Sequence, residues 1–160
     1  MTIQLNDTGL WQTQGHIDGK WVASDSGKTF AVVDPATGEH LADVPDMGAA
    51  ETNRAIDAAN AALPTWRAKT AKERANVLRK WFDLCMAAQA DLALLMTREQ
   101  GKPLAEASGE VAYGASFLEW FAEEGKRIYG DVIPSHSADK RIITVKQPIG
   151  VVAAITPWNF

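Results

Sequence analysis

Cysteine and histidine are scarce in this 160-residue sequence: Cys85 stands alone, and His16, His40 and His136 are spread along the chain. One thiol excludes an intrachain disulfide and a thiolate cluster. The histidines fall in turn-like stretches without an H-E-x-x-H or comparable spacing, so no metal site is predicted. No two glycines stand at i and i+2, and none of the four Gly-Lys pairs has a glycine five residues before it. The G-x-G-x-x-G dinucleotide fingerprint and the Walker A loop are therefore both missing. Nowhere do 18 apolar residues run together, and "MTIQLNDTGLWQTQG" lacks the basic start and apolar core of a signal peptide. A cytoplasmic protein with no membrane partner is expected, and the sequon at Asn6 is then idle. Sixteen Lys plus Arg against twenty Asp plus Glu give a net charge of −4, with no basic window to follow a phosphate backbone. Nucleic acid is excluded as a partner.

What is present is an ordinary globular composition, 46% hydrophobic and 22% charged, long enough for one domain with a core. The first 45 residues alternate short β-prone runs with turn chemistry: Asp18-Gly19 inside "HIDGKWV" is a hairpin signal, and "TFAVVDPATGEHLADV" breaks at Asp34-Pro35 and Gly38. A small-residue helical face, Ile56, Ala59, Ala62 and Leu63, predicts a helix over 49–63 that stops at Pro64. "TAKE", Thr70 to Glu73, is a capping box opening a helix over 71–88, with Val77, Leu78, Trp81, Phe82 and Cys85 as its stripe. A third helix over 89–100 ends at Gly101, followed by Pro103. The fourth, from Pro103 towards Gly125, is expected to bury Leu104, Val111, Phe117, Leu118 and Phe121. "KRIITVKQ" alternates like an exposed or edge strand. "PIGVVAAI" has no alternation, which suits a central parallel strand over 149–155 covered on both faces.

Few residues in these elements carry chemistry. Cys85 lies one turn after Trp81 on an apolar stripe, where a thiol packs as a small hydrophobe. Glu106 and Glu110, at i and i+4, have the spacing at which carboxylates share a proton, and equally that of an acidic first helical turn. In open parallel sheets ligands bind outside the carboxyl ends of strands, and "TPWN" falls where the strand over 149–155 must leave its sheet. Asn159 there offers two uncharged N–H donors, suited to a developing oxyanion. So apolar an ending, with no polar tail, predicts a chain that is cut within a longer fold.

The same residues carry a resemblance. "PIGVVAAITPWNF", "TREQGKPLAEASGEV", "DPATGE", "AIDAANAALPTW" and "WFAEEGKRIYGDVIP" together resemble, in order and over nearly the whole chain, the NAD(P)-dependent aldehyde dehydrogenase superfamily, including members that oxidise succinate semialdehyde to succinate. The resemblance implies an α/β fold in which hairpins and helices lead into the first strand of a Rossmann-like parallel sheet. It implies a division into 1–129, the N-terminal part of the cofactor-binding domain, 130–148, an oligomerisation-arm segment, and 149–160, the first strand and active-site turn. NAD or NADP is the implied cofactor, a small aldehyde the substrate, and a dimer or tetramer of identical chains the assembly. By the same resemblance Asn159 helps hold the aldehyde oxygen, while Ile155, Thr156, Pro157 and Trp158 line the nicotinamide end of the cofactor site. The family's nucleophilic cysteine, general-base glutamate and cofactor-ribose lysine follow the Trp-Asn segment, and Cys85 matches none of them. The 160 residues alone are therefore expected to be inactive. The alternative function is a non-catalytic fragment that docks onto full-length subunits.

Overall fold

A computed structural model of the chain describes residues 3–156. After a short 3-10 turn, Thr8–Leu10, come β1 (Gly15–Ile17), β2 (Lys20–Val22), β3 (Thr29–Val33) and β4 (His40–Pro45). Four helices follow: α1 (Ala49–Ala68), α2 (Ala71–Ala87), α3 (Gln89–Gln100) and α4 (Leu104–Glu124). The two-residue strands β5 (Val132–Ile133) and β6 (Ile142–Ile143) come last. The strands pair as three antiparallel ribbons, β1-β2, β3-β4 and β5-β6.

The β1-β2 turn has positive φ at Asp18 (51°) and Gly19 (73°), as a two-residue turn matched to the strand twist requires. In the β3-β4 turn the Asp34 carboxylate accepts from the backbone N–H of Ala36 at 2.8 Å and of Thr37 at 3.3 Å. Those bonds, first the one from Ala36, then Thr37 and the nearby Arg98, hold the Asp34 carboxyl below the usual range. Glu51, in the first turn of α1, accepts from the N–H of Gly48 at 3.0 Å and of Asp25 at 2.8 Å, tying the helix start to the loop after β2. The Thr70–Glu73 capping box opens α2 as expected, with Thr70 N–H donating to Glu73 at 2.7 Å and Glu73 N–H donating to Thr70 Oγ1 at 3.3 Å.

The end of α3 is the junction of the fold. Arg98 reaches from the helix to the β3-β4 turn, with Nε 2.8 Å from Asp34 Oδ2 and Nη2 2.6 Å from Glu39 Oε2. One turn later Gly101 closes the helix at φ 82°, its N–H donating to Thr97 O at 2.8 Å. A Cβ at Gly101 would lie 2.9 Å from Pro35 Cγ, so the turn and the helix end fit only because that atom is absent. Two stretches distant in sequence, "DPATGE" and "TREQGKP", are thus pressed together. Asp91, buried at the start of α3, does the same for the N-terminal segment: it accepts from Asn6 N–H (3.0 Å), Asn6 Nδ2 (2.9 Å) and Asp7 N–H (2.8 Å).

Four expectations fail wholly or in part, each for a tertiary reason. α1 does not stop at Pro64 but runs to Ala68. Pro64 and Asn60, whose carbonyl a proline four residues on cannot bond, both sit in an exposed part of the helix. On α4 the buried residues are Ala107, Val111, Ala115 and Ala122, whereas Leu104, Phe117 and Phe121 are exposed. Small side chains let α4 lie close to α2 and α3, so the alanine face turns inward around the Ala93, Ala107 and Val111 core. The stripe of α2 splits likewise, with Leu78, Phe82 and Cys85 half-buried and Val77 and Trp81 exposed. Residues 149–155 form no strand, and Ile149 and Ile155 are 93% and 96% exposed. A parallel strand is defined by its neighbours' hydrogen bonds, and among the described residues it has none. Of 140–146 only Ile142–Ile143 pairs, with Val132–Ile133.

Gly101→Ala is expected to destabilise the chain by about 1–2 kcal/mol from the left-handed backbone alone, with the Pro35 contact adding to it, read as a lower urea midpoint. Asp91 is held below the usual carboxylate range, by the backbone N–H of Asn6 first and that of Asp7 next. Its folded value lies below its unfolded one, so its stabilisation is complete above about pH 4 and is lost as pH falls through the folded value. Asp91→Asn should lower the midpoint at neutral pH and flatten the acid limb below pH 4. An unchanged acid limb would show that this latch does not contribute.

Candidate functional site

Ile155 and Thr156 are exposed, and among the described residues neither has a backbone hydrogen-bond partner. Pro157, Trp158 and Asn159 lie outside the described residues. Among the described residues, Ile155 and Thr156 are not brought together with any other element. Backbone groups left open at Ile155 and Thr156 suit a stretch that lines a ligand through its main chain.

Two surfaces on α4 are shaped to hold something. The larger, about 950 Å³, is an open groove lined by Tyr113, Ser116, Phe117, Trp120, Phe121 and Arg127. Its aromatic groups come from one helix face: Tyr113 and Phe117 are one turn apart and meet edge to face at 5.0 Å. Its carboxylates are already paired, Glu119 with Arg79 of α2 at 2.8 Å and Glu124 with Arg127 at 2.7 Å. What is offered to a partner is apolar.

The second groove, about 470 Å³ between α2, α3 and α4, has Cys85 on its wall with Trp81, Leu92, Met96, Leu118 and Glu110. Cys85 sits among apolar side chains, as its place on the α2 stripe predicts. Glu110 does not share a proton with Glu106: it is ion-paired with Lys102, whose side chain is buried where α3 gives way to α4, while Glu106 is exposed. Glu99 faces the same groove. Loss of water around its carboxyl raises it above the usual range, although the residue as a whole remains exposed. Among the described residues no three His, Cys, Asp or Glu side chains converge as a metal site requires. His16 stacks edge-on against Trp21, and His40 lies 3.1 Å from Asp43.

Two pairings escape a reading of the sequence: Arg98 with Asp34 and Glu39, and Lys102 with Glu110. Both lie in stretches with an unusual density of Gly, Pro and charge, "DPATGE" and "REQGKP", which marks a junction but not its partner. No helix among the described residues is long and apolar enough to cross a membrane.

Comparison with known proteins bears on the whole of this arrangement. A family model described as the aldehyde dehydrogenase family matches residues 21–160. The chain is 68% identical over 158 residues to a glutarate-semialdehyde dehydrogenase of Pseudomonas aeruginosa, covering 99% of this chain and 33% of that protein. It is 65% identical, over the same shares, to the NADP(+) succinate-semialdehyde dehydrogenase of Escherichia coli. The crystal structure of a succinate-semialdehyde dehydrogenase from Burkholderia pseudomallei superposes with a TM-score of 0.88 at 63% identity, over 91% of this chain and 30% of that one. The chain spans about a third of the length of the curated relatives it matches. The hairpins, the four helices and the junction at Arg98 and Gly101 are the form that this sequence takes as a member: the chain belongs to the aldehyde dehydrogenase family.

Proposed function

We propose that these 160 residues are the N-terminal part of an NAD- or NADP-dependent aldehyde dehydrogenase that oxidises succinate semialdehyde to succinate. The observation that carries this is identity of 65–68% to relatives named for succinate and glutarate semialdehyde. Those aldehydes differ by one methylene, and a pocket resolves such a difference by only about 1–3 kcal/mol, so the two are the substrates to compare first.

In this reading Asn159 is the catalytic group that the chain contributes. Its side-chain N–H donates to the aldehyde oxygen as a cysteine from the rest of the subunit attacks the carbonyl carbon, and oxygen takes up negative charge. The donor carries no charge of its own, so it stabilises the oxyanion without protonating it. Ile155, Thr156, Pro157 and Trp158 would hold the nicotinamide end of NAD or NADP, and that cofactor, when bound, would supply the hydride acceptor for oxidation of the aldehyde. In the same reading residues 1–129 are the N-terminal part of the cofactor-binding domain, 130–148 an oligomerisation arm, and 149–160 the first strand and active-site turn of that domain. The exposed side chains of Val132, Ile143 and Val145 on the β5-β6 ribbon support an arm that a second subunit covers, in a dimer or tetramer. The lack of a strand over 149–155 agrees with a segment whose sheet neighbours come from elsewhere.

Asn159→Ala in the full-length enzyme should lower kcat about 10²–10³-fold with little change in KM, followed by absorbance of the reduced nicotinamide. A kcat within twofold of the parent enzyme would remove Asn159 from the mechanism. The 160-residue chain alone should reduce neither NAD nor NADP with either semialdehyde, and measurable turnover would refute the division of chemistry argued here.

A further inference from the structure

We infer that Asp18-Gly19, the turn between β1 and β2, is a site of covalent backbone modification, at which the aspartate closes on the following amide as a succinimide and reopens as isoaspartate.

The turn presents both reacting groups free. Asp18 is the one residue other than glycine with positive φ among the described residues, at 51°, and Gly19 follows at 73°. An aspartate enters the left-handed region more readily than most residues because its short polar side chain can bond the local backbone. That compensation is missing here: among the described residues the Asp18 carboxylate has neither a hydrogen-bond nor an ion-pair partner. The amide of Gly19 donates to no acceptor among them either. Both residues are exposed, and a Cβ at Gly19 would meet nothing within 4 Å, so no side chain obstructs the approach to that nitrogen. Glycine also lets the backbone rotate as ring closure demands. The strands that hold the turn are three residues each and, among the described residues, pair only with one another, so opening the turn disturbs little else.

The chemistry needs no oxidant and no metal. The Gly19 nitrogen forms a bond to Asp18 Cγ, and the hydroxyl of the carboxyl group leaves with the amide proton as water. Water then adds to either carbonyl of the five-membered ring. Breaking the new N–Cγ bond restores aspartate, whereas breaking the original peptide bond leaves the chain running through Cβ and Cγ, with the α-carboxylate free.

Elsewhere the fold withholds one of the two groups. Asp25-Ser26 also joins an aspartate to a small residue in a turn. Its carboxylate, however, is held by Arg54, with Nη1 2.5 Å from Oδ2 and Nη2 2.8 Å from Oδ1, and its own N–H donates to Glu51 at 2.8 Å. A carboxylate gripped from both sides does not swing onto the next nitrogen. Asp34 is followed by a proline, which has no N–H to lose.

The modification strikes at the register of the ribbon. Gly15 pairs with Val22, His16 with Trp21 and Ile17 with Lys20. A two-residue turn sets that register by its length, and isoaspartate adds a methylene to its backbone. The Ile17 and Lys20 pair is the first to be lost. Gly15 also lies against Met47 with no room for a Cβ, so a shift of β1 is felt beside the start of α1.

The test is incubation of the full-length enzyme in oxygen-18 water at neutral pH and body temperature, then digestion in ordinary water and fragmentation of the peptides to locate the label. Each succinimide that reopens leaves one oxygen-18 behind. Asp18 is expected to take up label several-fold faster than Asp25, together with an isomeric peptide of equal mass that cleaves between Cα and Cβ of the same residue. Asp18→Asn, which keeps a residue suited to the turn, should lose ammonia at that position and give the same two products. Arg54→Ala should raise uptake at Asp25 several-fold and leave Asp18 as it was. No label at Asp18 in the folded enzyme, where urea-denatured enzyme takes it up, means that the turn withholds the geometry and overturns the proposal. Equal labelling of Asp18 and Asp25, or label at Asp18 without the isomeric peptide, overturns it as well.

Discussion

The guanidinium of Arg98 is the contact on which the arrangement of this chain depends. Its planar fork addresses two carboxylates at once, Asp34 and Glu39, at opposite ends of one turn. Asp34 is no passive acceptor, because its other oxygen is held by the N–H groups of Ala36 and Thr37. The turn is therefore shaped by the same side chain that anchors it to α3. A lysine would supply the charge without the geometry. Pro35 then meets Gly101 closely enough that the helix must end where it does, and α4 sets off in the direction this stop allows.

That direction matters because the core beneath it is thin. Among the described residues the buried apolar ones are alanines and one valine, Val111, and no large side chain is completely enclosed. Burying an alanine removes little apolar surface, so packing between α2, α3 and α4 supplies close contact and modest hydrophobic free energy. Polar latches carry more of the specificity than is usual. Asp91 on the N-terminal segment, Glu51 between α1 and the loop after β2, Arg98 on the β3-β4 turn and Lys102 on Glu110 each join parts of the chain that the small core would not hold in register. Each is a carboxylate fully used by N–H donors or by a cation, the form in which buried charge is tolerated.

Features fixed by neighbouring residues were legible in the sequence. Asp18-Gly19, the Thr70–Glu73 box and the glycine stop at 101 need nothing beyond a few bonds of the chain to declare themselves, and the structure has all three. What failed in part was the reading of which side of a helix faces in: Val111, Leu78, Phe82 and Cys85 turn inward as expected, whereas Leu104, Phe117, Phe121, Val77 and Trp81 do not. Hydrophobicity ranks Phe117 and Phe121 above Ala115 and Ala122, yet close helix packing selects the alanines. Pro64 misled for a related reason, since breaking a helix depends on whether the freed carbonyl finds water. The run over 149–155 was expected as a buried parallel strand, but among the described residues nothing pairs with it and Ile149 and Ile155 are exposed. Of the proposed site, only the type of residue could be named in advance. No geometry for Asn159 follows from its sequence position.

A single amide donor is worth little in water, where it exchanges one hydrogen bond for another. Its effect on an oxyanion comes from being held, dry and aimed, at the point where charge appears. For Asn159 that requires a strand end fixed by sheet neighbours and a wall that excludes solvent. The chain's own part in meeting those conditions is indirect: Arg98 and Gly101 fix the junction from which α4 sets off. A donor is useful only when the polypeptide bearing the nucleophile is docked beside it.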